Sequence, residues 1–264
     1  MIIAHTLLLS VGAIFFMLKK IQFRKVDHEL FLAFWKQLEH KFTRVKNVVI
    51  ENTDEEIIIS FELVSSNSKL YTKLIKLWLA DALVVYYKEK FFASHMKLRG
   101  LNEVSFKLVT KALAIFDKAQ DVSYVLDRFG LDNKLINVHS FYIFKMGELR
   151  LKWKEICELF TANLSSVNKS DVFFELIKYL ILITESERKI VKLSFRGDEI
   201  LVLDENDIDL IEPTKADEGN FINILLGLIS LAPQTISINL SEKNPSEFIS
   251  VVENLFAGKV RYST

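Results

Sequence analysis

The chain changes character at Glu185-Ser186-Glu187-Arg188, where composition shifts. Before that point apolar residues recur mostly three and four apart, the spacing that lines one face of a helix. After it, short β-branched runs with side chains alternating in period two become common, the pattern of half-buried strands. Such a chain is expected to be an α+β protein. A helix-rich N-terminal region carries a β-hairpin, and a small C-terminal α/β unit follows in the order β-β-α-β-α-β. The expected division is an apolar segment over residues 1–20, a helix-rich α+β domain over 21–186 and a small α/β domain over 187–264. With only 8 Gly and 3 Pro in 264 residues, long flexible linkers are not expected.

Residues 27–46 predict a helix with Asp27 at its N-cap and Leu30, Phe31, Phe34, Trp35 and Leu38 on one face. Val48-Val49-Ile50 and residues 56–64 read as the hairpin, with Asn52-Thr53-Asp54 supplying turn chemistry. Residues 68–92 hold the longest helical pattern, opened by Ser68. Its broad apolar stripe is Leu70, Leu74, Leu77, Trp78, Ala82 and Val85. Shorter helices over 104–116 and 121–129 are punctuated by Asp117 and Gly130. One long helix is expected over 137–164, with Leu149, Trp153, Ile156 and Phe160 inward, and another from Ser170 or Asp171 to 184. Strands over 190–195 and 199–204 flank Arg196-Gly197-Asp198, and an acidic loop is expected to about Glu218. The apolar helix over 221–231 is too short to span a bilayer and reads as a core helix. A strand over 234–240, an amphipathic helix opened by Pro245 and a strand over 259–262 complete the tail.

Residues 1–18 contain no charged side chain, and Lys19, Lys20, Arg24 and Lys25 follow at once. The run just reaches the length of about 17–25 residues that a spanning helix needs. A secretory signal would put positive charge before its apolar core; here it comes after. As an anchor the run would leave the N-terminus outside and the body in the cytoplasm. Two other readings stand beside it: a buried strand or helix of the body, and a chain start upstream of the true one.

The 34 basic and 34 acidic residues cancel. Dedicated nucleic-acid binders carry a basic excess, so nucleic acid is not an expected partner. A single cysteine, Cys157, precludes an intramolecular disulfide and cysteine-rich zinc sites. It suits a reducing, cytoplasmic compartment and reads as a small buried hydrophobe. Histidines 5, 28, 40, 95 and 139 lack ligand spacing with one another or with a carboxylate. No H-E-x-x-H, G-x-S-x-G, G-x-G-x-x-G or Walker A pattern occurs. The stretch from Asp204 to Asp209 fails as a calcium loop, because Ile208 falls where an oxygen ligand is needed. No catalytic residue, cofactor or metal is assigned, and catalysis is not the expectation.

Two blocks carry a resemblance. The first reads A-L-A-I-F-D-K from Ala112, then S-F-Y-I-F-K-M-G-E-L-R-L-K-W-K-E-I-C-E-L-F from Ser140. The second reads E-L-I-K-Y-L from Glu175, I-L-V-L-D-E-N from Ile200 and L-L-G-L-I-S-L-A-P from Leu225, followed by a strand, a helix and a last strand. Together they resemble the YtxC family of sporulation proteins of endospore-forming bacteria. The resemblance implies a process, endospore formation, and no reaction.

Two surfaces follow from the residues themselves. Phe141, Tyr142, Phe144, Lys145, Arg150, Lys152 and Lys154 form the densest aromatic-basic run. Tyr142, Lys145 and Arg150 are its candidate contacts to a protein partner in sporulating cells, since exposed aromatics with Arg and Lys favour interfaces; a core helix with a charged back is the other reading. The second surface lies over residues 69–111, where Lys69, Lys73 and Lys76 share one helix face. It could face an anionic membrane surface, RNA or water. The expected function is thus a non-catalytic binding or scaffold role in sporulation, with an RNA- or nucleotide-binding regulator as the alternative and an unrecognised hydrolase as a third reading.

Overall fold

The computed structural model describes residues 16–41, 48–64, 68–96, 102–129, 135–164, 170–240 and 245–263. It is an α+β protein whose chain divides into two compact units, residues 1–83 with 124–146 and residues 84–123 with 147–264.

The first unit is built on a four-stranded sheet of order β2-β3-β1-β4, from β1 (Phe16–Arg24), β2 (Val48–Asn52), β3 (Glu56–Val64) and β4 (Leu135–Asn137). The expected hairpin is β2–β3, antiparallel with Ile50 opposite Ile59. β1 adds to β3 antiparallel along its whole length. It buries Ile21 and Phe23, while Lys20, Gln22 and Arg24 on the alternate face are half-buried. Of the charges read as a flank after residue 18, Lys19, Lys20 and Arg24 belong to this strand and Lys25 to the turn that follows. Period-two alternation turns Lys20 and Arg24 away from the Ile21–Phe23 face, whereas Lys19 shares that face and is buried. The rest of the candidate anchor, residues 1–15, lies outside the described residues. Among the described residues no helix is long and apolar enough to cross a membrane. A 3-10 turn, Lys25–Asp27, leads into α1 (His28–Lys41), which buries Leu30, Phe34 and Leu38 as its spacing predicts. The early part of α2 (Ser68–His95), the late part of α4 (Lys118–Arg128) and α5 (Val138–Lys145) complete this unit.

The second unit holds the rest of α2 and α4, then α3 (Glu103–Ile115), α6 (Gly147–Leu164), α7 (Ser170–Ile183), α8 (Glu218–Leu231) and α9 (Ser246–Leu255). Its sheet has order β7-β6-β5-β8-β9, from β5 (Arg188–Arg196), β6 (Glu199–Leu203), β7 (Asp209–Lys215), β8 (Pro233–Asn239) and β9 (Val260–Ser263). β5, β6 and β7 run antiparallel in sequence, whereas β5–β8 and β8–β9 are parallel. Val191, Leu193, Ile236 and Ile238 form the buried centre of the sheet. Gly197 turns the β5–β6 hairpin at φ +62°, a conformation that costs glycine nothing.

Two expectations change here. The acidic loop after β6 contains a seventh strand, so the tail is β-β-β-α-β-α-β. Among the described residues only one edge of β7 is paired, its register slips twice against β6, and Pro213 lies within it. An edge strand tolerates both proline and exposed charge, and these hid the alternation. The long helix expected over 137–164 is also two helices. Asn137 ends β4 and caps α5 by accepting the Ser140 N–H at 2.8 Å. Met146 is fully buried as the joint, and α6 starts afresh at Gly147, a weak helix former.

Candidate functional site

The second unit buries a charged cluster that no local motif announced. α3 ends as the Phe116 N–H returns to the Ala112 carbonyl at 2.9 Å. Asp117 then takes φ +57°, a left-handed turn that Asp tolerates better than most residues. The next helix opens with the Asp121 N–H bonded to the Asp117 carbonyl at 3.2 Å. Asp121 Oδ2 accepts from Lys88 Nζ at 2.7 Å and from Trp153 Nε1 at 3.0 Å. Its Oδ1 accepts from Lys152 Nζ at 3.0 Å, and that ammonium also reaches Asp117 Oδ2 at 2.5 Å. Lys88 also donates to the Phe116 carbonyl. Lys88 and Asp121 are 0% and 1% exposed. Burial lowers the Lys88 pKa, with Asp121 pulling the other way. Burial also works against the Lys152 charge, yet hydrogen bonds to Asp117 and Asp121 raise its pKa. Two ammonium groups and two carboxylates neutralise one another in place, so the cluster ties α2, the α3–α4 turn and α6 together. Asp117, Lys152 and Trp153 all lie in the blocks that carried the family resemblance.

The contact residues expected from the sequence fall in different units. Tyr142 and Lys145 are on α5 in the first unit; Arg150 is half-buried on α6 in the second. α5 turns Val138 and Phe141 inward, with Phe141 stacked on Phe129 at 4.4 Å between ring centroids. It leaves Tyr142 half-buried, Lys145 exposed and Phe144 79% exposed. At its first turn His139 Nε2 lies 3.2 Å from Arg24 Nη1, and Arg24 Nε donates to buried Asp27 at 2.8 Å. Burial, then the Arg24 charge, lower the His139 pKa, with Asp27 opposing.

The basic face over residues 69–111 is not continuous. Lys69 and Lys73 are exposed, but Lys76 is buried and donates to the Phe129 carbonyl at 3.4 Å. A lysine can leave its helix face this way because a long apolar stem lets the ammonium reach a buried acceptor. Lys88 belongs to the buried cluster, Lys107 pairs with Glu103 and Lys111 with Glu89. Lys97 and Arg99 lie outside the described residues. The apolar stripe of α2 is also narrower than its spacing suggests, since Leu70 and Leu77 are exposed.

Two clefts open on the second unit. One, of about 230 Å³, is lined by Glu175, Lys178, Tyr179, Leu182, Phe256 and Lys259 among others. Its Lys178 bonds Glu175 at 2.8 Å and its Lys259 the Ile181 carbonyl at 3.1 Å. The other, of about 390 Å³, holds the paired Glu89, Lys107 and Lys111. Among the described residues no group of His, Cys, Asp or Glu is placed to hold a metal ion. Asp204 instead closes its own loop, accepting the N–H groups of Asn206 at 2.8 Å and Ile208 at 3.0 Å. The Ile208 contact leads in holding its carboxyl below the usual range. Cys157 is buried, and burial with Glu158 nearby pushes its thiol up to about 11.

A family model described as the YtxC-like family matches residues 69–261. No curated protein and no solved structure matches.

Proposed function

This chain belongs to the YtxC-like family, and from that premise we propose that it acts in endospore formation as a non-catalytic binding or scaffold protein of the cytoplasm. Its partner is a protein of sporulating cells, met through the outer face of α5. The observation that carries this reading is Phe144, an aromatic side chain 79% exposed beside the exposed Lys145. An aromatic ring held in water is a side chain that interfaces favour, and its burial would drive association. Tyr142 on the same helix adds a half-buried ring with a polar tip. Arg150 is a separate contact on α6.

The process is tested by deleting the gene in a spore-forming host. Heat-resistant spore counts should fall while vegetative growth stays normal; unchanged counts would remove the sporulation role. The surface is tested by affinity capture from sporulating cells. Replacing Tyr142, Phe144 and Lys145 by Ala should leave the fold intact and abolish co-purification. Phe144→Ala alone should weaken binding about 30-fold, the effect of truncating a hot spot of about 2 kcal/mol. Arg150→Ala, scored separately, shows whether α6 contributes. Undiminished capture by the triple variant would sink the α5 reading.

A further inference from the structure

We infer that His139 is an acid-sensitive latch: as a neutral ring it holds α5 to β1, and its protonation releases the helix. A guanidinium carries donors and no acceptor. With Arg24 Nη1 at 3.2 Å, His139 Nε2 must therefore accept, which it does only when the ring is neutral and its proton sits on Nδ1. That Nδ1 is buried and has no hydrogen-bond partner among the described residues. A second proton gains the ring no bond on either side. It destroys the one bond the ring makes and sets an imidazolium against a guanidinium.

Arg24 is pinned for this role, because its Nε is paired with Asp27, which is 3% exposed. Among the described residues the charged groups facing the ring are Arg24 from β1 and Asp27 from the 3-10 turn. β4 brings only Leu135, Ile136 and Asn137. Burial and Arg24 outweigh Asp27 in opposing the charged ring. Other contacts hold the same region. β4 pairs with β1 over Lys20, Ile21 and Gln22, and Asn137 Nδ2 donates to Gln22 Oε1 at 3.0 Å. α5 also turns the apolar Val138 and Phe141 inward.

The sign follows from the direction of the shift. A released helix has a histidine of ordinary affinity, with a pKa of about 6.5; the docked one binds its proton less readily. Docking is therefore fully favoured above the ordinary value and loses ground as the pH falls from it through the docked pKa. The consequence for function rests on the reading of α5 as the partner surface: acidification withdraws that surface. The latch itself does not depend on that reading.

The test uses the full chain without any partner. Hydrogen exchange of residues 135–145, corrected for intrinsic rates, is followed from about pH 7.5 to about pH 5 alongside an NMR titration of His139. Exchange should accelerate below about pH 6.5 by up to about tenfold per unit, the limit for one proton. His139→Gln, whose amide oxygen reaches the place of Nε2 and can still accept from Arg24, should show a flat profile. Should that variant fail to fold, Arg24→Gln with Asp27→Asn removes both charges and should move the His139 midpoint upward. A midpoint at or above the ordinary value in the natural chain overturns the latch, as does an equal acceleration in His139→Gln. Capture of the partner at both ends of the pH range is a separate arm. A partner lost with Phe144→Ala but held equally at both pH values overturns the link between latch and binding.

Discussion

At the scale of single residues, the buried cluster is where one side chain counts most. Asp121→Ala leaves the Lys88 ammonium buried with the Phe116 carbonyl but without its bonded carboxylate, and removing one partner of a buried pair costs about 3–5 kcal/mol. Lys88→Met keeps Asp121 in contact with Lys152 and Trp153, so its urea midpoint should fall distinctly less. Equal losses would mean that Asp121 does not share its charge as the geometry indicates. Lys152 adds a pH signature. Its folded pKa is raised above the unfolded value of 10.5, so its contribution is complete below that value and fades as the pH climbs through the folded one. Alkaline titration of stability should therefore cost the natural chain more than Lys152→Met. Cys157 should resist a thiol reagent at about pH 8 until the chain unfolds, because only the thiolate reacts. Its buried place was legible because a lone cysteine on a helix reads as a small hydrophobe; the cluster was not. Lys88 and Asp121 looked like ordinary polar positions of two helices, and only packing shows that they meet.

Elements were read well where the pattern was long and poorly where a joint or an edge interrupted it. The helix boundaries of α1, α2, α3, α4, α7, α8 and α9 follow the apolar spacing to within a few residues at most of their ends. The break at Met146 escaped because both helices keep apolar periodicity across it. β7 escaped because exposed charge and Pro213 overlay its alternation. That strand also explains a helical glycine. A Cβ on Gly227 of α8 would lie 2.3 Å from Ile211 Cδ1 on β7. Gly227→Ala should therefore destabilise by about 1–3 kcal/mol through overpacking, although alanine is the better helix former by about 1 kcal/mol. Ile211→Val removes the offending methyl. In that background Gly227→Ala should raise the melting temperature, and a continued loss would show that the clash is with something else.

At the scale of the whole molecule, charge decides between partners. With 34 residues of each sign and a pI near 7.0, the chain has no long-range pull on polyanions. Of the lysine trio on early α2 only Lys69 and Lys73 face solvent. If single-stranded RNA bound there through two phosphates, log affinity against log salt should slope at about −1.4. A much steeper slope in a filter-binding series would reopen the nucleic-acid reading. The same neutrality predicts lowest solubility near pH 7, measurable by polymer-induced precipitation.

By itself the sequence determined the α+β class, most of the helices, the two hairpins and the family, because these depend on the local spacing of apolar side chains. A period of two or of nearly four is imposed by backbone geometry and is written along the chain. Tertiary structure alone decided that residues 16–24 form a strand, that Lys76 and Lys88 go inside, and that Asp117, Asp121, Lys152 and Trp153 join one of them in a neutral cluster. It alone faced His139 with Arg24. Whether a polar side chain is solvated or buried depends on a partner 31 to 115 positions away in these cases. A buried charge is tolerable only when that partner arrives with it.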